Sequence, residues 1–428
     1  MNKLKRTFAL ILSAALLSVT PAAAVTVDDE DAMRGVWVSS VYNLDYPSAQ
    51  TTDAAALKAE ADAILDDCED WGLNAIFLQV RPTSDALYDS DLFPWSRWLT
   101  GNQGDAPEKK FDPLEYWIEE AHDRGIELHA WINPYRITRA GDADWNDIDP
   151  DNPAAEHPEW VIEYESNYYY DPGLPAVREL VIDGAVEIAE HCDVDGIHLD
   201  DYFYPGSDFN DDATYARYGG GEDLSDWRRE NVNLLVEGLH DALEDYDLEF
   251  GISPSGIWAN QSTDPRGSAT SGSEHYVKSY ADSLKWIEEE WIDYIIPQSY
   301  WEIGHQLADF ATLADWWQDA VEGSDVKLYI GMAAYRCTDA SSGPWMTSDP
   351  LFENLDYLAQ NDISEGCVYF RYGSLRDVDG LSDHLANWYD SDHTLVIPPH
   401  GESAVSNGSP LVQQFGDVFR ALLRSLIR

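Results

Sequence analysis

A single α/β (β/α)8 barrel is the architecture this sequence predicts, and three observations predict it. Strand-like and helix-like segments alternate strictly from residue 35 to residue 389, and such alternation calls for a parallel sheet with helices on its outside. The segments form eight strand-helix units, which suits a closed barrel with long loops better than a doubly wound open sheet. Finally, the stretch from Asp193 to Pro205 alternates apolar and polar residues and then runs into two carboxylates, three aromatic rings and a proline. That is how a barrel strand reads when its carboxyl end opens into a site.

Taken in order, Gly-Val-Trp-Val-Ser-Ser at 35–40 is the first strand. A helix over 51–70 carries Leu57, Ala61, Ile64, Leu65 and Cys68 at helical spacing, and Gly72 stops it. The second strand is 74–82. Asp112 followed by Pro113 starts the second helix, as a capping side chain and a first-turn proline do, and it runs to Gly125. The third strand is 127–135; the acidic 141–175 stretch is an excursion, and the helix 176–191 leads into the fourth strand. Strands at 248–255, 293–301, 327–336 and 366–373 then alternate with helices at 227–246, 280–291, 307–321, 351–360 and 382–389.

Three regions are expected: a signal peptide at 1–24, the barrel at 33–391, and a linker with a basic amphipathic helix at 392–428. The first combines Lys3, Lys5 and Arg6, an apolar run and Ala22-Ala23-Ala24, so export from the cytoplasm, to the periplasm, the cell surface or the medium, is expected. It holds three positive charges and no acidic residue, so its removal takes the formal charge from −54 to −57. A chain this acidic is not a nucleic-acid binder and is repelled by anionic membranes. Past the first region no apolar run is long enough to span a bilayer. In the last region Val412, Phe415, Phe419, Leu422, Leu423 and Leu426 share a face opposite Arg420, Arg424 and Arg428, which suits packing on the barrel or contact with a cell surface. The four cysteines lack metal-ligand spacing; Cys337 with Cys367 is the favoured pair if a disulfide forms, and unpaired core thiols are the alternative.

Period-two geometry assigns the strand faces. Ile197 and Leu199 should pack on helices while His198, Asp200 and Tyr202 face inward. By the same rule Phe77, Gln79 and Arg81, then His129, Trp131 and Asn133, then Gln298 and Tyr300, then Tyr335, form a polar floor around Asp200. Aromatic residues past the strand ends (Trp95, Trp98, Tyr135, Tyr168 to Tyr170, Tyr202 to Tyr204, Trp258, Trp301 and Trp345) suggest stacking platforms for sugar rings, although any one of them could be core. A polysaccharide or oligosaccharide substrate is therefore expected.

Glycoside hydrolysis needs two carboxyl groups. Asp200 is the candidate nucleophile or electrostatic stabiliser. Asp201, which an ideal strand would turn away, Glu302 beyond the sixth strand, and Asp85 beyond the second are candidates for the other. An Asp pair after a strand also serves as a loop or helix cap. A metal site of His129, His198 and Asp200 is possible on ligand type, but both imidazoles belong a layer below the rim, and none is assigned. There is no Gly-rich phosphate cradle and no Gly-x-Ser-x-Gly elbow, so no cofactor and no serine chemistry are expected.

These residues also carry a family resemblance. Arg34-Gly-Val-Trp-Val, Gln79-Val-Arg-Pro, Phe93-Pro-Trp-Ser, Glu127-Leu-His-Ala-Trp-Ile-Asn-Pro-Tyr-Arg, Asp195-Gly-Ile-His-Leu-Asp-Asp-Tyr-Phe-Tyr-Pro, Gly251-Ile-Ser-Pro-Ser-Gly-Ile-Trp and Ile296-Pro-Gln-Ser-Tyr-Trp closely resemble the bacterial glycosyl-hydrolase-like family ten. The resemblance spans 33–390. It implies a (β/α)8 barrel hydrolysing a bacterial glycan, with peptidoglycan strands stripped of their peptides as the substrate class. The strand-four segment also looks like the nucleophile strand of α-amylase-type barrels, where Asp200 would be the nucleophile. The strand-five acid of those enzymes has no counterpart here.

Overall fold

The computed structural model describes residues 32–139, 145–339 and 342–390. The expected signal peptide and the C-terminal helix lie outside these residues. Eight parallel strands form the barrel: β1 (Met33–Val38), β2 (Ala75–Arg81), β3 (Glu127–Ile132), β4 (Gly196–Leu199), β5 (Glu249–Ile252), β6 (Tyr294–Ile295), β7 in two pieces (Lys327–Leu328 and Ile330–Met332) and β8 (Gly366–Tyr369). Neighbours in sequence pair in parallel from β1 to β6. The ring closes because the first piece of β7 pairs with β6, the second with β8, and β8 with β1.

One main helix follows each strand: α1 (Ala54–Asp70), α2 (Pro113–Asp123), α3 (Pro175–His191), α4 (Leu224–Leu243), α5 (Ser283–Glu288), α6 (Phe310–Val321), α7 (Asp349–Asn361) and α8 (Leu381–Asp390). Their starts are written locally. Asp53 accepts from the Ala55 amide, Asp112 from those of Leu114 and Glu115, and Asp223 from that of Ser225, satisfying donors a helix leaves open. The 141–175 excursion contains a hairpin, Val161–Tyr164 against Asn167–Tyr170.

Period two sorts the strand residues into two layers. Ile76, Leu78, Leu128, Ala130, Ile132, Ile197, Leu199, Phe250 and Ile252 belong to the core shared with the helices. Trp37, Phe77, Trp131, Tyr294, Tyr329 and Val368 fill the barrel axis. Rings of this size fit only where a neighbouring strand offers no side chain. A Cβ on Gly251 would lie 2.1 Å from the Tyr294 ring, and one on Gly196 would lie 2.2 Å from His129 Nδ1.

Several expectations need correction. The register of β2 against β3 slips between Gln79 and Arg81, and a one-residue bulge turns the following side chain to the other face. Arg81 therefore points outward: a Cβ on Gly184 of α3 would lie 2.2 Å from its Nη1, and its guanidinium sits 4.6 Å over the Phe93 ring. It is not a substrate-binding residue of the mouth. The sixth strand is two residues long instead of 293–301, because Pro297 brings no N–H to the ladder. Beyond it Gln298 bridges Ser255 and Gly331. All four cysteines are free, so Cys337 and Cys367 do not form the favoured disulfide. Among the described residues no helix is long and apolar enough to cross a membrane.

Candidate active site

The fourth strand stops at Leu199, and Asp200 and Asp201 follow it at the carboxyl end of the barrel. Asp200 is 3% exposed. Trp131 Nε1 donates to its Oδ2 at 3.1 Å, Asn133 Nδ2 to Oδ1 at 3.0 Å and Oδ2 at 3.1 Å, and the Tyr202 amide to Oδ1 at 3.1 Å. Each donor favours the charged form. Burial outweighs them: loss of water, with the Asp201 charge adding to it and the Arg136 charge opposing, pushes Asp200 up to about 6.

Asp201 was expected to turn away, and it would if the strand continued. Because the strand has ended, its carboxylate reaches Gln298, whose Nε2 donates to Oδ1 at 3.0 Å and to the Ser253 carbonyl at 3.0 Å. Its own carbonyl accepts from His275 Nε2 at 2.8 Å. Burial raises its pKa as well, against Gln298 and Arg136. Among the described residues no side chain other than Gln298 donates to it. Tyr300 lies within electrostatic reach; its phenol is pushed well above the usual range by burial and the Asp201 charge, and its hydroxyl is buried with no protein partner. Tyr335 packs edge-on against Tyr300.

Arg136 was given no role in the sequence reading, although a cation just past a strand end of so acidic a chain was a usable signal. Its amide donates to Asn133 Oδ1 at 2.9 Å, and its guanidinium lies 4.4 Å over the Tyr202 ring. It opposes the rise of both aspartates. Tyr202 is 48% exposed and stands above the pair as an open ring.

His129 and His198 sit deeper than a substrate reaches, and their protons can be placed. Trp37 Nε1 can only donate, and it faces His198 Nε2 at 3.3 Å, so that nitrogen is bare and Nδ1 carries the hydrogen toward the Tyr294 hydroxyl at 3.3 Å. Ser253 Oγ lies 2.9 Å from the same Nε2 and 3.4 Å from the Leu199 carbonyl. Tyr294 in turn donates to His129 Nδ1 at 3.1 Å, which leaves the His129 hydrogen on Nε2, 3.6 Å from Glu127 at the opposite end of the barrel. Burial keeps His198 neutral, far below its ordinary range. Both imidazoles are barrel filling, not substrate ligands, and with Asp200 they form no metal site; among the described residues no His, Cys, Asp and Glu cluster could hold one.

The aromatic platform is smaller than expected. Tyr135, Trp258, Trp98, Tyr170, Phe203, Tyr204 and Trp345 are all nearly or fully buried. Tyr135 packs between strands and helices, and Trp258 donates to Asp282 at 3.1 Å and stacks on Trp316. Neither binds substrate; long loops need hydrophobic anchors, and these rings serve as such. Trp301 is half-buried beside Ile257, Ala308 and Leu313. Of the other acids, Asp85 is fully buried and knits its loop through Thr83, Gln103 and the Arg97 amide. Glu302 accepts from Trp345 Nε1 at 2.8 Å, with Arg336 4.0 Å away, and no contact ties it to the aspartate pair.

Comparison with known proteins agrees with this architecture. The family model described as Glycosyl hydrolase-like 10 matches residues 32–347. The chain is 40% identical over 400 residues to Glycosyl hydrolase YngK of Bacillus subtilis, covering 90% of this chain and 77% of that protein. It is 36% identical over 383 residues to Glycosyl hydrolase DigH of Escherichia coli K12, covering 82% and 87%. Among solved structures, the glycoside hydrolase domain of PgaB (BpsB) from Bordetella bronchiseptica superposes with a TM-score of 0.55 at 14% identity, covering 83% of this chain and 98% of that one. Alpha-L-fucosidase isoenzyme 2 from Paenibacillus thiaminolyticus gives 0.53 at 14% identity over 84% and 49%; likeness at that identity speaks to the fold alone. With a matching family model over most of its length and relatives of this identity, the chain belongs to the Glycosyl hydrolase-like 10 family.

Proposed function

We propose that this protein hydrolyses O-glycosidic bonds of a bacterial glycan, with Asp200 and Asp201 as the two carboxyl groups. The observation that carries the reading is the pair itself: adjacent acids at the barrel mouth, Asp200 buried and Asp201 half-buried, both raised, in unlike hydrogen-bond settings. Asp200, held in one orientation by Trp131, Asn133 and the Tyr202 amide, is suited to remain the carboxylate that meets developing positive charge on the sugar, as nucleophile or stabiliser. Asp201 takes a single side-chain donor, from Gln298, and is less tightly held, so it is suited to hold the proton that the leaving oxygen receives. Two such neighbours resist ionising together, since each charge raises the cost of the other.

The substrate class follows the family resemblance: peptidoglycan strands without stem peptides, met outside the cytoplasm. Release of new reducing ends from such strands, against intact peptidoglycan and β-glucan, tests it. Tight binding with no reducing ends would instead make this a carbohydrate-binding barrel. Deleting 406–428 is expected to leave turnover of soluble oligosaccharides unchanged and to lower retention on cells, measured by sedimentation with the cells.

Trp131→Phe keeps the ring and removes one donor to Asp200. A charge-assisted hydrogen bond of about 1 kcal/mol corresponds to roughly 0.7 pH unit. The acidic limb of kcat/KM should therefore move upward by about that much, read from a pH-rate profile.

A further inference from the structure

Arg81, which the bulge in β2 turns out of the mouth, is 2% exposed. Its Nη1 and Nη2 are both buried, and among the described residues neither has a hydrogen-bond partner. The Phe93 ring covers one face of the guanidinium, and Nη1 abuts α3 where Gly184 leaves room. Burial pushes the Tyr88 phenol up and the Arg81 charge opposes it, so the two are neighbours, yet the Tyr88 hydroxyl also lacks a partner of hydrogen-bond geometry. Glu187, one turn beyond Gly184 on α3, is engaged elsewhere: it accepts from Ser90 Oγ at 2.6 Å and from the Asp91 amide at 2.6 Å. A buried guanidinium whose donors meet nothing is costly, and one that also lacks a counter-charge is more so.

A small cavity lies against this group, behind the ends of β2 and β3. Its polar walls are Arg81, Arg136, Thr83, Ser84, Asn133 and Tyr170, and Phe93 and α3 close it with apolar side chains. None of the residues lining it is an acid, in a chain with 80 acidic and 26 basic residues. Arg136 is 4% exposed, with Nη1 3.5 Å from the Pro82 carbonyl. The Ser84 and Tyr170 hydroxyls bond to each other, and Thr83 Oγ1 donates to Asp85, so the open donors on this wall are those of Arg81. The cavity has room for one guest of about the size of water. That size turns away sulfate, phosphate and any sugar acid and admits a halide ion or a water. A water answers the N–H donors and leaves the charge, whereas a halide answers both.

We infer that the cavity walled by Arg81 and Arg136 is a binding site for one small monovalent anion of the chloride class. It sits in the wall behind the aspartate pair, because Asn133 borders the cavity and donates to Asp200. The inference does not depend on the glycosidase reading, and its test requires no turnover.

Melting of the full chain is followed while chloride replaces gluconate, an anion too large for the cavity. Ionic strength is held constant, because a chain of formal charge −54 responds to any salt. The melting temperature is expected to rise by about 2 to 5 °C along a saturating curve, and bromide should act as chloride does. Arg81→Met removes the charge at similar length and should abolish the saturating rise. A melting temperature that does not saturate with chloride overturns the inference, and so does an unchanged response in Arg81→Met. Crystals of the unaltered protein grown in bromide decide the matter even if that variant does not fold. An anomalous peak within hydrogen-bond distance of Arg81 Nη1 or Nη2 supports the site, and density there without anomalous signal means a water and overturns it.

Discussion

Asp200→Asn is expected to lower kcat about a thousandfold in the proposed glycan hydrolysis, with substrate binding retained. Asparagine is nearly isosteric and keeps one acceptor oxygen for Asn133 Nδ2 and the Tyr202 amide. It cannot form a glycosyl ester or answer positive charge at the anomeric carbon, and a loss of about 4 kcal/mol of transition-state stabilisation corresponds to that factor. Asp201→Asn should fail comparably, because the strand ends before it and both carboxylates address the mouth. Steady-state turnover and equilibrium binding of both variants on one glycan make the check. Near-normal turnover by both would place the chemistry elsewhere, and Glu302 would be the next acid to replace.

The same Asp200 substitution is expected to change stability in a pH-dependent way. Folding raises this carboxyl from 3.8 to about 6, so the folded state binds its proton more tightly than the unfolded chain does. The sign follows: above pH 6 the buried charge costs stability, and the cost fades as pH falls through 6 and is gone below the unfolded value near 4. A shift of this size corresponds to up to about 3 kcal/mol. Asp200→Asn removes the cost and introduces a smaller one of about 1 kcal/mol, since its amide nitrogen meets the Trp131 indole N–H donor to donor. Denaturant titrations at pH 8 and pH 4 should therefore show the variant gaining on the unaltered protein by about 2.5 kcal/mol from the lower pH to the higher. A gain that does not vary with pH would mean that Asp200 titrates normally.

The sequence by itself was enough for the barrel and for the place of the strand-four aspartates at its carboxyl end. Helix starts at Asp53, Asp112 and Asp223 are local, and so is the layer sorting of Ile197 and Leu199 against His198; short-range capping and period two decide them. It also placed Trp131 and Asn133 on the face that meets the aspartates, because β3 keeps its register with β4 up to its end, and Gln298 reaches the same face through isolated bridges beyond β6. Tertiary structure decided the rest. Arg81 left the site through a bulge in β2 that only its pairing with β3 reveals. Asp201 entered because β4 stops one residue before the pair, where pairing with β3 and β5 ends. His129 and His198 lost their candidacy to a hydrogen-bond column whose direction Trp37 fixes from another strand. Tyr135 and Trp258 became loop anchors because aromatic residues beyond a strand look alike in sequence whether they meet solvent or their own helices. Arg136 gained meaning only when its partners were known. A strand's face is a property of a few consecutive residues, whereas burial, partnership and charge environment belong to groups far apart in the chain, and only the closed barrel brings those together.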